Sequence, residues 1–264
     1  MWSHAKFTAT RPASMPIFVL VAVLLILPGA PRMAGAAPPS GSPWKLTFSS
    51  EFQRQDVSLE KWNVKCRSVS GRSEAELLRD NVKLRDGVCR LLARKADDGR
   101  WTNAQVVTKA FKQRYGYFEA RIKVSSTTGF TNVFALISHD RINTRRRFFV
   151  DVVLTLYPQT HSTRLAAFGA GQSYPTELHG NAEKLSKDYH LYGLEWTDRE
   201  LIWYLDGREI RRVSHTALRH PARLQLVTWG GGSDGDVTSP MEVDYVRVYK
   251  KLHRPPNWSD WQLD

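Results

Sequence analysis

This sequence predicts an all-β protein, an antiparallel sandwich or jelly roll. Three observations carry that prediction. Short β-branched and aromatic runs recur along residues 44–250, separated by turn signals at near-regular spacing. Asp86-Gly87 and Asp206-Gly207 each join two such runs, and Asp-Gly is a strong hairpin signal. Helical periodicity is weak everywhere; Ser73–Arg79 and His215–His220 are each expected to make about two turns at most.

The elements follow in chain order. Lys6 and Arg11 form a positive opening, and Ile17 to Leu27 is an unbroken apolar run of 11 residues. That run is well short of the roughly 20 residues a membrane-spanning helix needs. Pro28-Gly29 breaks it, and Ala34-Gly35-Ala36 supplies small residues for a signal peptidase, with cleavage expected before Ala37. Residues 1–36 are therefore read as a signal peptide, residues 37–43 as a flexible lead rich in Pro, Ser and Gly, and 44–250 as one domain. The expected location is secreted or extracytoplasmic, with no stable membrane insertion after cleavage. Strands are expected at Trp44–Phe48, Asn81–Leu84, Val88–Ala93, Val106–Lys109, Tyr115–Val124 and Thr131–Ser138. A further set is expected at His190–Trp196, Leu201–Leu205, Glu209–Val213, Leu224–Trp229 and Met241–Tyr249. The tail, 251–264, is expected to pack loosely through Trp258 and Trp261, and Asn257-Trp258-Ser259 is a glycosylation sequon.

The richest strand candidate is Arg145 to Tyr157, which contains no Gly or Pro. Phe148, Val150, Val152 and Leu154 alternate with Phe149, Asp151 and Val153. Both faces are apolar, as in a strand covered on each side. Asp151 is the exception. A buried carboxylate is costly without a partner, so it is either paired with a nearby Arg or otherwise hydrogen-bonded in the core, or it belongs to a glycan site.

Composition narrows the classes. The 264 residues carry 42% hydrophobic residues, enough for a sizeable core, and nine Trp, which suit a large β core or a sugar-binding surface. Net charge is +12; Lys6, Arg11 and Arg32 supply three of these in the first 36 residues, leaving +9. Such a surface serves solubility or an anionic partner. Cys66 and Cys89 are expected to form a disulfide in an exported chain, the alternative being two buried thiols. With two Cys, no CxxC and scattered His, no metal set is expected, and no cofactor. A nucleic-acid partner is disfavoured by the export signal and by the lack of an aromatic-basic motif.

Several stretches resemble glycoside hydrolase family 16, the group of laminarinases, lichenases, agarases and carrageenases. They are Glu51-Phe52, Trp62, Asn81-Val82 with Asp86-Gly87, Tyr115–Lys123, Tyr189–Trp196, Ile202–Gly207 and Met241–Tyr249. The resemblance implies a concanavalin-like β-jelly roll of two stacked antiparallel sheets, the concave one forming a glycan cleft. It also implies a nucleophile Glu, an Asp two residues on, and an acid/base Glu two or three residues later. Anchored on Asp151, the nucleophile position falls on Phe149, and the acid/base position on Val153, or on Leu154 if the strand is bulged. Neither carries a carboxylate. Retaining hydrolysis needs two carboxyl groups about 5–5.5 Å apart, one to attack and one to move the proton.

The sequence therefore points to an exported carbohydrate-binding protein on a hydrolase scaffold, without hydrolytic activity, with a β-glucan or an anionic galactan as ligand and a monomer as the expected state. Phe149, Asp151, Phe134, Trp196 and Trp229 are the ligand-binding candidates, with Arg145 and Arg147 beside Arg141 and Arg146 for an anionic glycan. Core packing is the competing reading for Phe134 and Trp196, and a solvated basic loop for the arginines. Two other functions stay open: a working glycosidase or transglycosylase with a displaced acid, Asp151 with Glu119 or with Asp234 or Asp236, and a partner-binding protein whose cleft is filled. Glu119, Arg121, Glu195 and Asp244 are otherwise expected to pair across the sheet.

Overall fold

The computed structural model describes residues 38–39, 43–53, 60–65, 75–138, 148–157, 160–167, 177–216, 218–230 and 239–252. All belong to one compact unit, Ala34–Asp264. The expected signal peptide, Cys66, Arg145, Arg147, Asp234, Asp236, the sequon and the tail from residue 253 lie outside the described residues. Among the described residues no helix is long and apolar enough to cross a membrane.

The described strands form two sheets. The first runs, edge to edge, β15 (Arg208–Ser214), β14 (Glu200–Leu205), β13 (His190–Trp196), β8 (Gly116–Lys123), β17 (Met241–Lys251), β5 (Val88–Leu91) and β4 (Val82–Arg85). β1 (Trp44–Ser50) also pairs with β17. The second runs β12 (Glu177–Gly180), β11 (Thr160–Ala167), β10 (Phe148–Leu156), β9 (Phe130–Ser138), β16 (Arg223–Gly230), β7 (Trp101–Thr108) and β2 (Trp62–Val64). Two short strands, β3 (Ala75–Leu77) and β6 (Arg94–Lys95), add to β7. Every pairing is antiparallel except β3 with β7. The two Asp-Gly hairpins form as expected: Asp86 and Gly87 have φ 54° and 74°, Asp206 and Gly207 φ 49° and 79°, left-handed values that this dipeptide tolerates best.

One core lies between the sheets. Phe118, Ala120 and Ile122 of the first sheet meet Phe134, Leu136, Phe148 and Val150 of the second. Trp203 on β14 reaches across and donates its indole N–H to the backbone carbonyl of Asp151 at 2.9 Å, both satisfying a buried donor and pinning β10 to the opposite sheet.

Three expectations change. Ser73–Arg79 is not a helix: its described part holds strand β3, and Arg79–Asn81 is a single 3-10 turn. Backbone pairing with β7 and burial of Leu77 outweigh a weak local helical preference. His215–His220 has no helix among its described residues, where Leu218 is drawn into the core. Cys89 is a free thiol and not half of a disulfide. Its side chain points into the apolar core, fully buried, and burial pushes the thiol up to about 12, so it acts as a small hydrophobe. Among the described residues one α-helical turn, α1 (Ala182–Leu185), is capped by the Asn181 side chain, which accepts from the Glu183 N–H at 2.7 Å.

Candidate functional site

The outer face of the second sheet, the side turned away from the core, carries the candidate site. Its centre is β10, and a bulge decides which side chains β10 presents. Asp151 pairs with Ala135 and Val153 with Phe134 on β9, while Asp151 pairs with Arg164 and Leu154 with Ser162 on β11. One extra residue is therefore accommodated after Asp151. The consequence is that Val152 and Val153 both enter the core, and alternation resumes one residue late. Phe149, Asp151 and Leu154 share the outer face. Phe149 and Leu154 are half-buried over a small apolar cluster of Val107, Val133, Ala135, Ile137 and Val227.

Asp151 is 1% exposed. Its Oδ2 accepts from Arg164 Nε at 2.6 Å, directly across the β10–β11 ladder. Burial pushes the carboxyl up to about 6 even though Arg164 pulls it down. Arg164 lies in β11, a strand the sequence reading did not anticipate, and the pairing of β11 with β10 sets it opposite Asp151. The pairing of Asp151 with a nearby Arg, one of the two readings of that residue, is what the geometry contains. Trp229, on β16 opposite Thr131, is 37% exposed and stands on this same face. Gln105 donates to Gln225 at 2.9 Å between neighbouring strands there, a polar pair the sequence reading also missed.

Phe134 and Trp196 do not join the site. Both lie in the inter-sheet core, with Phe134 at 0% and Trp196 at 1% exposure; Trp196 packs edge-on against Phe148 at 5.5 Å. On β9 the outer face belongs to Val133, Ala135 and Ile137, so Phe134 must point inward.

Glu119 belongs to another surface. It lies on the outer face of the first sheet, since Phe118 and Ala120 beside it face the core. Its carboxylate is fully buried there, accepting from Tyr245 at 3.0 Å and Tyr117 at 3.4 Å. Burial pushes it up to about 7, with those hydroxyls and the Arg247 charge acting in the opposite direction. Arg247 is itself held bidentately by Glu51, at 2.9 Å from each oxygen. Asp151 and Glu119 thus face away from each other across the sandwich and cannot act as an acid pair. The cross-sheet pairing expected for the other polar residues is present: Arg121 with Asp244 at 3.1 Å and Lys251 with Glu195 at 3.4 Å.

The model of glycosyl hydrolases family 16 matches residues 69–247, about two thirds of the chain. The chain belongs to this family. Among curated relatives of this family 16 protein, the endo-1,3-1,4-beta-glycanase EglC of Rhizobium meliloti is 28% identical over 182 residues, covering 62% of this chain and 38% of the relative. Beta-porphyranase B of Zobellia galactanivorans is 24% identical over 261 residues, covering 83% and 85%. The chain spans well under half the length of the first such relatives it matches. Among solved structures, the catalytic domain of a Thermotoga petrophila endo-1,3-beta-glucanase superposes with a TM-score of 0.68 at 21% identity, covering 81% of this chain and all of that one. Porphyranase B of Zobellia galactanivorans gives 0.70 at 19% identity, covering 84% and 98%. The shared architecture is the family's jelly roll, as the sequence reading expected.

Proposed function

We propose that this family 16 protein is an exported carbohydrate-binding protein without hydrolytic activity, whose ligand is a β-glucan or an anionic galactan. The observation that carries the reading is the make-up of the outer face of β10. Of its three central side chains, Phe149, Asp151 and Leu154, one is a carboxylate, and that one is committed to Arg164. Placed on β10 through Asp151, the family pattern puts Glu at the positions of Phe149 and, with the bulge, Leu154. Neither an aromatic nor an aliphatic side chain can attack an anomeric carbon or carry a proton to a leaving oxygen. The same two side chains offer apolar surface for the C–H faces of a sugar, and Trp229 adds an exposed ring. Export is proposed from the leader at 1–36, and a monomer from the sequence reading; N-terminal sequencing of the secreted protein would place the cleavage before Ala37.

The deciding experiment is a reducing-end assay of the purified protein on neutral β-glucans and charged galactans, paired with a pull-down on the same polysaccharides. Retention without new reducing ends is the expected result. New reducing ends that disappear in Asp151→Asn would overturn it and return the protein to the activity for which its curated relatives are named.

A further inference from the structure

Arg164 is held in an unusual way for a surface arginine. Its Nε alone is engaged, by the buried Asp151 carboxylate. Among the described residues its two terminal nitrogens have no hydrogen-bond partner, and the side chain is 46% exposed while that of Asp151 is 2% exposed. The buried carboxylate therefore anchors the guanidinium at Nε, while the rest of the side chain stays about half exposed on the proposed ligand face. On β10 the neighbours on that face are Phe149 and Leu154, which give a sugar ring an apolar seat on either side of the charge.

A guanidinium fork presents two parallel N–H donors at the spacing of two oxygens of one carboxylate or sulfate group. An arginine free in solution loses rotamer freedom when it binds; one already clamped at Nε has lost much of it beforehand. The Asp151–Arg164 pair is formally neutral, so recognition here rests on directed hydrogen bonds more than on long-range attraction. We infer that Arg164, clamped by Asp151, is the receptor for an oxyanion carried on a sugar ring, a uronate carboxylate or a sulfate ester, and so selects charged over neutral glycans. This rests on the carbohydrate-binding reading above and adds a ligand class and a named residue to it.

The test is calorimetric titration of the full chain with three probes: a neutral β-glucan hexasaccharide, an oligogalacturonate and a sulfated galactan oligosaccharide. The wild type is expected to bind at least one charged probe more tightly than the neutral one, and which charged probe wins separates carboxylate from sulfate. Arg164→Gln should weaken the charged probe by about 10- to 100-fold, the worth of hydrogen bonds to a charged group, and leave the neutral probe within about twofold. The double variant Asp151→Asn with Arg164→Gln removes the clamp together with its cation; it should show the same selective loss, which an effect of a stranded carboxylate would not. Equal affinity of the wild type for charged and neutral probes, or an unchanged charged-probe affinity in Arg164→Gln, overturns the inference while leaving carbohydrate binding intact. Binding of none of the three overturns both readings.

Discussion

The two outer faces of the sandwich each bury one carboxylate, and they treat it differently. On the first sheet Glu119 is enclosed by tyrosine hydroxyls, with Arg247 and Glu51 as a second ion pair beside it. Both Glu119 oxygens and both tyrosine hydroxyls have a partner inside the protein, so this face is closed upon itself. On the second sheet Asp151 has one charged partner among the described residues, Arg164, whose terminal nitrogens have no hydrogen-bond partner there and whose side chain is about half exposed. The first arrangement is built for holding strands together, the second leaves hydrogen-bonding capacity for something else. The family-like stretches Tyr115–Lys123 and Met241–Tyr249 build the closed face; Phe149, Asp151 and Leu154 stand on the open one.

Truncation separates the two faces most sharply. Glu119→Ala strands the Tyr245 and Tyr117 hydroxyls in a buried site and should cost about 2–4 kcal/mol, read as a fall in the thermal midpoint of several degrees. Asp151→Asn should cost about 1 kcal/mol or less, because Arg164 can turn to water and the Trp203 bond goes to the backbone carbonyl, which the substitution leaves in place. Equal losses from the two variants would erase the distinction between a closed and an open face.

The pH dependence sharpens the same contrast. Both carboxyls are raised above their ordinary values in the folded state, Asp151 to about 6 and Glu119 to about 7. The folded protein therefore binds these protons more tightly than the unfolded chain, and stability falls as pH rises from about 4 through 7. Thermal midpoints measured across that range should decline in the wild type. Asp151→Asn should flatten the lower part of the decline, and Glu119→Gln the upper part. A wild-type midpoint that rises steadily over this window would contradict the burial of both groups.

Trp229 should matter only to binding. Trp229→Ala is expected to weaken glycan retention by about tenfold, in line with one aromatic contact, with a thermal midpoint within about 2 °C of wild type. A large stability loss with unaltered retention would move Trp229 from the ligand face into the fold.

The sequence made some of this legible and not the rest, for physical reasons. Alternation in Tyr115–Lys123 and the two Asp-Gly turns are local signals, and the corresponding strands and hairpins stand close to their expected limits. Phe134 was ambiguous because β9 is apolar on both faces, so the side on which its aromatic falls depends on pairing set across the sheet, whereas Trp196 alternates with Glu195 and shares the core side with Tyr192 and Leu194, as the core-packing reading had it. Arg164 was invisible because Thr160–Ala167 is small and polar, with little strand signal of its own; it is a strand through its partner β10. The choice between Val153 and Leu154 could not be made by counting, since a bulge leaves no mark in a run of valines.

That bulge has one more consequence, for how the chain can change length. Val152 and Val153 are successive residues with the same destination, so removing either would delete one side chain from the interior and leave Phe149, Asp151 and Leu154 facing as before. Elsewhere in β10 the loss of one residue would invert every side chain beyond it. The strand thus contains a single point at which deletion of one residue is phase-neutral, set beside the acid on its outer face.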